Sequence, residues 1–185
     1  RKKIEHLKNE FVSTVSHELR TPLTSVNGAL GLVVNGALGE VPASMREMLQ
    51  IAYQNSQRLT LLINDLLDME KLNAGKMLFD MCRQPLLPLL EEALDSNREY
   101  AAKFAVSLHL TGAHTAQVNV DRLRLQQVLS NLLSNAAKFA PPGSTVEVSF
   151  TSDTDQVRVS VHDDGPGIPE AFKPRIFQKF AQADS

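Results

Sequence analysis

The sequence lacks several features that mark specialised classes of protein. Its 185 residues include a single cysteine, Cys82, so a disulfide within the chain is impossible and no oxidising compartment is required. No apolar run approaches the ~18 residues that indicate a membrane span, and no signal peptide opens the chain. The formal charge of −2 gives no electrostatic reason to expect nucleic acid as a partner. These absences favour an ordinary globular protein and leave its function open.

Neither end of the sequence has the features expected at the terminus of a complete protein. The chain begins with Arg1 in place of a methionine, and apolar residues recur at helical spacing from Ile4 onward. The last residues before Ser185 contain neither a helix cap nor a final strand. We therefore expect the chain to be the middle part of a longer protein.

The apolar periodicity of residues 1–74 predicts two long amphipathic helices. Gly and Pro residues within 35–42 predict the short loop that joins them. Ser44 and Glu47 match a capping box for the second helix. A lone hairpin leaves apolar stripes uncovered, so we predict a homodimer through residues 1–73 that forms a four-helix bundle. The alternative is a hairpin that packs on the chain's own second domain.

From about residue 75 the sequence alternates between predicted strands and helices. Strands are predicted at 77–81, 105–110, 118–120, 145–150 and 156–162, and helices at 86–103 and 122–139. This order predicts an α+β sandwich with a mixed sheet and helices on one face. We therefore divide the chain into a first domain, 1–74, and a second domain, 75–185.

His17 lies on the predicted polar face of the first helix. The apolar stripe comprises Phe11, Val15, Leu19, Leu23 and Val26, and the opposite stripe comprises Glu10, Ser13, His17, Arg20, Thr21 and Thr24. A neutral imidazole offers a nucleophilic nitrogen near pH 7. Glu18 is adjacent and can hold the ring or accept its proton, while Thr21 lies one turn later on the same face. An exposed histidine without any role would have the same spacing.

The string SHELRTPL, residues 16–23, resembles the H-box of the sensor histidine kinases of two-component systems. The resemblance implies that His17 is the phosphoacceptor and that Glu18 is its acid–base partner. Glu18 and Thr21 also match the family's E-x-x-T sequence, in which the threonine supports phosphatase activity. The implied partner is the receiver domain of a response regulator, and the implied location of this portion is cytoplasmic, with any membrane anchor in segments outside it.

A second motif lies on the predicted helix 122–139. Its predicted apolar face comprises Leu125, Val128, Leu129, Leu132, Leu133 and Ala136. Asn131, Asn135 and Lys138 share another stripe, and amide oxygens with an ammonium suit a metal-bound polyphosphate. A plain exposed face has the same spacing. However, NLLSNAAKF resembles the family's N-box, which implies ATP and Mg²⁺ as cofactors, with Mg²⁺ on Asn135, Asn131 and Lys138 near the phosphates, and Phe139 beside the nucleotide.

A third motif, DDGPGIP, follows the last predicted strand. The alternation of that strand predicts that Asp163 points to the buried side, where a carboxylate needs a partner. Gly165 and Gly167 allow backbone to approach a ligand closely. The alternative is a glycine-rich turn that Asp163 caps. The motif resembles the family's G1 box, which implies that Asp163 binds adenine and that the two glycines shape the pocket floor.

The segment IFQKF, residues 176–180, resembles the F-box of the same family. The resemblance implies that Phe177 and Phe180 anchor a lid over ATP, although two core phenylalanines are an equal alternative. A further glycine-rich box of the family, G2, does not occur in residues 1–185, so we expect the Bergerat-type domain to continue past them. No G-x-x-x-x-G-K-[ST] loop occurs, which excludes a simple P-loop mechanism.

The function expected from these motifs is ATP-dependent autophosphorylation of His17, followed by transfer of the phosphoryl group to an aspartate of a response regulator. One alternative is an ATPase or conformational clamp of the wider Bergerat-fold group, which would not depend on His17. Another is a non-catalytic dimerisation module. The presence of Asn135, Asp163 and Gly165 argues against that module, because a domain without nucleotide has no need of them.

Overall fold

The computed structural model describes the backbone of residues 2–112, 115–178 and 181, and the side chains of these residues except 2–13 and 17. The chain divides into two compact units, Arg1–Leu78 and Phe79–Ser185. Among the helices of the described residues, none combines the length and the apolar character that a membrane span requires.

The first unit is a helical hairpin, as the sequence predicts. Helix α1 spans Lys2–Val34 and includes Pro22, and helix α2 spans Ala43–Asn73. The expected capping box at the start of α2 is wrong, because Ser44 already lies inside the helix and Pro42 is the N-cap, without a side-chain capping bond. The Pro42 carbonyl accepts hydrogen bonds from the backbone N–H groups of Met45 and Arg46, so the first turn closes on backbone alone.

The seam between α1 and α2 does not follow the predicted apolar stripe of α1. Val15, Leu19 and Val26 are exposed in the single chain, whereas Ser16 is buried. Arg20, predicted on the wet face, is half-buried and donates hydrogen bonds to Asn64 of α2. The reason is that the seam runs along a neighbouring stripe of α1, which shares the half-buried Leu23 with the apolar stripe and leaves its other described members uncovered.

On α2 the covered positions recur at spacings of three and four residues, as in a coiled-coil seam. Ser56, Ile63 and Leu67 are buried there, and Tyr53 and Thr60, which complete the spacing, are half-buried. A second apolar stripe of α2 remains exposed and comprises Met48, Ile51, Leu59 and Leu62. Each helix of the hairpin thus carries one covered and one uncovered stripe.

The second unit has the predicted α+β architecture. Its elements are β1 (Cys82–Pro85), α3 (Leu86–Ala102), β2 (Ser107–Thr111), β3 (Gln117–Val120), α4 (Arg122–Phe139), β4 (Thr145–Ser152) and β5 (Val157–His162). Strands β2, β4 and β5 form a mixed sheet, since β4 pairs in parallel with β2 and antiparallel with β5. Strands β1 and β3 form a separate antiparallel pair.

The first strand of this unit is not where the sequence predicts it. Residues 77–81 are outside any strand, and the strand is instead Cys82–Pro85, which pairs with β3 from Cys82 opposite Val120 to Pro85 opposite Gln117. Strand β3 is only four residues long, and all four of its residues pair with β1. The earlier segment therefore has no strand to pair with, and Leu78 is 91% exposed.

The core of the second unit joins α3 and α4 to the mixed sheet. Leu90 of α3, Leu133 of α4 and Val146 and Val148 of β4 are among its most deeply buried side chains. On α4 the buried stripe is narrower than predicted, because Val128 and Leu132 are exposed. By helical geometry these two lie beside Asn131 and Asn135, on the half of α4 that faces away from the core.

Neighbouring leucines of α4 give a direct measure of this packing. Leu133 is 1% exposed and Leu132 is 48% exposed. We expect Leu133→Ala to lower the free energy of unfolding of the second unit by about 2–5 kcal/mol, because it removes buried apolar atoms and leaves a cavity. Leu132→Ala is the matched control and should cost less than about 1 kcal/mol. Urea denaturation measures both, and equal effects would contradict the packing described.

Candidate functional site

The first group of candidate residues lies on α1. His17 belongs to α1, and its side chain is outside the described residues, so its predicted exposure stays a prediction. Thr21 is exposed, as its place on the polar stripe predicts, and Glu18, adjacent to His17 in the sequence, is exposed as well. This surface of α1 therefore presents a carboxylate and a hydroxyl around the position of the histidine.

Arg20 adds a cation to the same stretch of α1. Its Nε donates to Asn64 Oδ1 at 3.2 Å and its Nη2 donates to the same oxygen at 2.8 Å. One amide oxygen of α2 thus holds the guanidinium by two N–H groups. Sequence reasoning missed this pair, because nothing local to residue 20 or residue 64 indicates how the two helices are aligned.

The start of α4 is fixed by one carboxylate. Asp121 is the N-cap, and its Oδ1 accepts the backbone N–H of Arg124 at 3.1 Å. Its Oδ2 accepts the backbone N–H of Asp80, just before β1, at 3.0 Å. These hydrogen bonds, the one from Asp80 first, lower the pKa of Asp121. An aspartate directly before a segment with helical periodicity is a known capping signal, so the sequence contained the information needed to predict this N-cap.

The N-box residues lie on the outer half of α4. Asn131, Asn135 and Lys138 are all exposed, which agrees with the stripe predicted for them. The Lys138 ammonium lies 4.9 Å from the centroid of the Phe139 ring, which is itself about half exposed. Two amides, an ammonium and an aromatic edge therefore form one accessible surface near the end of α4.

The turn after β5 reaches this end of α4. Asp163 is half-buried, and its Oδ1 accepts the backbone N–H of Gly165 at 2.8 Å. A Cβ at Gly165 would lie 2.5 Å from that oxygen and 2.8 Å from the backbone oxygen of Phe139. Only glycine fits there, so the turn sits directly against the last residue of α4. Asp163 thus caps its own glycine-rich turn, which is the alternative given for this motif, and its contact with adenine stays a prediction.

The predicted lid residues differ in what the structure describes. Phe177 is 97% exposed, so it is not a core residue of the second unit. Phe180 lies outside the described residues. Gly167 has a φ of +73°, a conformation that glycine adopts without strain. The segment from Gly167 to Phe177 therefore consists largely of turns and exposes the apolar side chain of Phe177.

Carboxylates and imidazoles do not form a metal site in the described part of the chain, which contains no group of three or more such side chains able to hold an ion. The outer face of α4 presents the amide oxygens of Asn131 and Asn135, which are both exposed. Mg²⁺ is often bound through one or two protein oxygens, with substrate phosphates and water completing its octahedron. These residues fit a magnesium ion that arrives with a polyphosphate.

Comparisons with known families match both units. Residues 7–75 match the His Kinase A (phospho-acceptor) domain, and residues 120–185 match the histidine kinase-, DNA gyrase B- and HSP90-like ATPases. The circadian input-output histidine kinase CikA of Synechococcus elongatus is 38% identical over 181 residues, or 96% of this chain. This chain belongs to the sensor histidine kinases of two-component systems. It spans 24% of the length of CikA.

Solved structures of sensor histidine kinases have the same fold. Full-length ShkA in complex with AMPPNP is 29% identical, with a TM-score of 0.74 over 94% of this chain and 37% of that chain. Histidine kinase ThkA in complex with the response regulator protein TrrA is 26% identical, with a TM-score of 0.64 over 98% of this chain and 54% of that chain. The phosphoacceptor match of this chain contains His17, and its ATPase match contains α4 and the Asp163 turn.

The hydrogen bond between the Asp121 carboxylate and the backbone N–H of Asp80 makes a pH-dependent contribution to the stability of the second unit. Because the pKa of Asp121 is lowered in the folded state, this contribution is present above the usual range of an aspartate and is lost as the pH falls through the folded-state pKa. Asp121→Asn retains a capping oxygen but cannot accept both N–H groups. We expect it to lower the Tm at pH 7, and the difference from wild type to shrink in acid.

Asp80→Asn is the matched control for this measurement. It retains the backbone N–H that Asp121 accepts, so its Tm at pH 7 should stay close to that of wild type. Differential scanning calorimetry from pH 7 to pH 3 compares the three proteins. Equal losses in both variants, or a pH-independent loss in Asp121→Asn, would contradict this account.

Proposed function

We propose that this chain is the catalytic core of a sensor histidine kinase that phosphorylates His17 with ATP. The observation that carries the proposal is the presence, in one chain, of His17 within a phosphoacceptor match and of the Asn135 and Asp163 motifs within an ATPase match. Its membership of the family and the names of its relatives favour this function over a Bergerat-fold ATPase or clamp. A non-catalytic dimerisation module is disfavoured by the presence of Asn135, Asp163 and Gly165, because a domain without nucleotide has no need of them.

The second unit binds the nucleotide at the junction of α4 and the Asp163 turn. The Asp163 carboxylate already accepts a hydrogen bond from the Gly165 N–H. It retains lone pairs that can accept a further hydrogen bond from the amino group of adenine. Gly165 and Gly167 form the floor of the pocket, and Phe139 borders the base. Phe177 and Phe180 anchor the lid over ATP, a role for which the exposure of Phe177 is suited.

The outer face of α4 binds the triphosphate. Asn135 holds Mg²⁺ through its amide oxygen, and Asn131 and Lys138 lie near the phosphates. The ion, when bound, neutralises charge on the phosphate oxygens as the phosphoryl group is transferred. Lys138 contributes a point charge of the same sign, and it is accessible on the same stripe as both asparagines.

The first unit supplies the nucleophile. A neutral ring nitrogen of His17 attacks the γ-phosphorus and forms a P–N bond, while the bond to the bridging oxygen breaks and ADP leaves with that electron pair. Glu18 holds the ring by its other nitrogen and accepts the proton from it. Catalysis of phosphoryl transfer depends mainly on positioning and charge. The main role of the exposed Glu18 carboxylate is therefore to orient the imidazole ring of His17.

The phosphoryl group then passes from His17 to an aspartate of a response regulator receiver domain. ThkA was crystallised with a response regulator protein, and its likeness to this chain supports a partner of that class. Thr21, exposed one turn after His17, assists removal of the phosphoryl group from the regulator. This portion of the kinase acts in the cytoplasm, where ATP and response regulators are present.

A second copy of the chain covers the exposed stripes of the hairpin. Val15, Leu19 and Val26 on α1 and the stripe of α2 beginning at Met48 are uncovered in the single chain. Two hairpins that join these stripes form a four-helix bundle with its apolar residues inside. The proposed dimer therefore runs through residues 1–73 and places the two His17 residues in one bundle.

Gly165 tests the proposed nucleotide pocket. In Gly165→Ala the added Cβ meets the Asp163 carboxylate and the Phe139 carbonyl oxygen, so the turn must shift. We expect the Kd for ATP to rise about tenfold, which corresponds to about 1.4 kcal/mol. Gly143→Asn is the control, because Gly143 has a φ of +84° with no atom near its Cβ position and asparagine tolerates that conformation. Isothermal titration calorimetry that finds equal affinities would exclude this pocket.

His17 tests the proposed reaction. Incubation of the full-length kinase with γ-labelled ATP should give protein-bound label that is acid-labile and stable to alkali. His17→Gln should abolish the label and leave nucleotide binding intact, whereas His109→Gln, at an exposed position of β2, should label as wild type. ATP turnover without protein-bound label, unaffected by His17→Gln, would identify the chain as an ATPase or clamp instead.

A further inference from the structure

The hexapeptide VNGALG occurs twice near the end of α1, once as helix and once as the stop of the helix. Residues 26–31 lie inside α1, whereas residues 34–39 begin with its last residue, Val34, and continue into the turn. We infer that the first copy is a second, internal stop, at which residues 27–34 leave the helix together and join the loop. The hairpin then has a long and a short form of α1, which differ by about 12 Å in length.

The second copy shows how this hexapeptide ends a helix. Gly36 has a φ of +75°, a conformation that glycine adopts without strain. Its backbone N–H donates to the carbonyl oxygen of Val33 at 3.1 Å, and the N–H of Ala37 donates to the carbonyl oxygen of Leu32 at 3.0 Å. These two hydrogen bonds form a Schellman motif, which caps the last carbonyls of a helix. Gly28 occupies the equivalent position in the first copy, so the same cap is available there.

The first copy is helical because of its contacts with α2. Its amino acids favour a helix weakly, since it contains Gly28 and Gly31 and glycine is the poorest helix former after proline. Asn27 Nδ2 donates to Thr60 Oγ1 at 2.8 Å. Gly31 is buried, and a Cβ at its position would lie 3.4 Å from the Tyr53 ring. One hexapeptide with two conformations is thus selected by tertiary contacts, which an opening of the seam removes.

The seam beside the first copy is incompletely satisfied. Asn27 Oδ1 and Ser56 Oγ are buried and have no hydrogen-bond partner among the described residues. Buried polar atoms without partners destabilise the state that buries them, and both atoms gain hydrogen bonds to water when residues 27–34 leave α2. Farther along α2, Ile63 and Leu67 are buried, so the part of α1 that precedes the first copy keeps an apolar seam.

Hydrogen exchange of the full-length kinase, measured residue by residue, tests the inference. Ending α1 at Val26 frees the backbone N–H groups of residues 30–34 from their helical acceptors, whereas the new cap holds those of Gly28 and Ala29. We expect residues 30–34 to share one protection factor, at least tenfold lower than that of Ala29. A gradual decrease of protection along the end of α1, as in simple fraying, would overturn the inference, as would equal protection on both sides of Ala29.

Gly28→Ala removes the internal stop, because alanine disfavours the left-handed conformation. It should raise the protection factors of residues 30–34 about tenfold and abolish the step after Ala29. Gly31→Ala is the matched control, since it gains the same helix propensity and leaves the stop intact, so the step should remain. Thr60→Val removes a hydrogen bond that holds the first copy in the helix and should lower these protection factors about tenfold. A step that persists in Gly28→Ala, or that disappears in both glycine variants, would overturn the inference.

Discussion

The burial of one stripe of α4 is the constraint on which the nucleotide side of this protein depends. Leu129, Leu133 and Ala136 enter the core, so α4 cannot turn about its axis without withdrawing them from close-packed surroundings. A helix that cannot turn keeps Asn131 and Asn135 on its outer half. Packing that carries no chemistry of its own thereby decides which side chains a ligand meets.

Both ends of α4 are fixed by contacts that reach other parts of the chain. At the N-terminus, Asp121 closes the first turn and also accepts from the segment before β1. At the C-terminus, the carbonyl of Phe139 lies against Gly165, and Asp163 is held within the same turn. The position of the helix along its axis is therefore set at both ends, as its rotation is set by the core.

Long elements of this fold could be predicted from sequence because each carries enough periods to identify itself. The hairpin, α3, α4 and the β4–β5 pair all belong to this class. Strand β1 does not, since Cys82–Pro85 has no alternation of its own and exists as the partner of β3. Arg20 was assigned to the wrong face of α1 for a related reason, because the helical period cannot tell which of two neighbouring stripes the helix of the same hairpin covers.

The candidate site also contains features that the sequence could predict and features that it could not. Asn131, Asn135 and Lys138 were placed on one accessible stripe by helical geometry alone, and the exposure of each agrees. Contacts that join distant segments, such as Gly165 with Phe139 and Arg20 with Asn64, were beyond sequence reasoning. Their existence depends on how elements are aligned against each other, and that alignment comes from packing across the whole unit.

The uncovered stripe of the hairpin has a consequence for how the two units respond to dilution. The α+β unit closes a core from its own residues, so its unfolding equilibrium is independent of how many chains are present. A hairpin completed by a second molecule is governed by mass action, and its melting shifts with protein concentration. In the proposed dimer, one polypeptide would join a part with intrinsic stability to a part whose stability belongs to the pair, and a change in helix pairing would act on the latter alone.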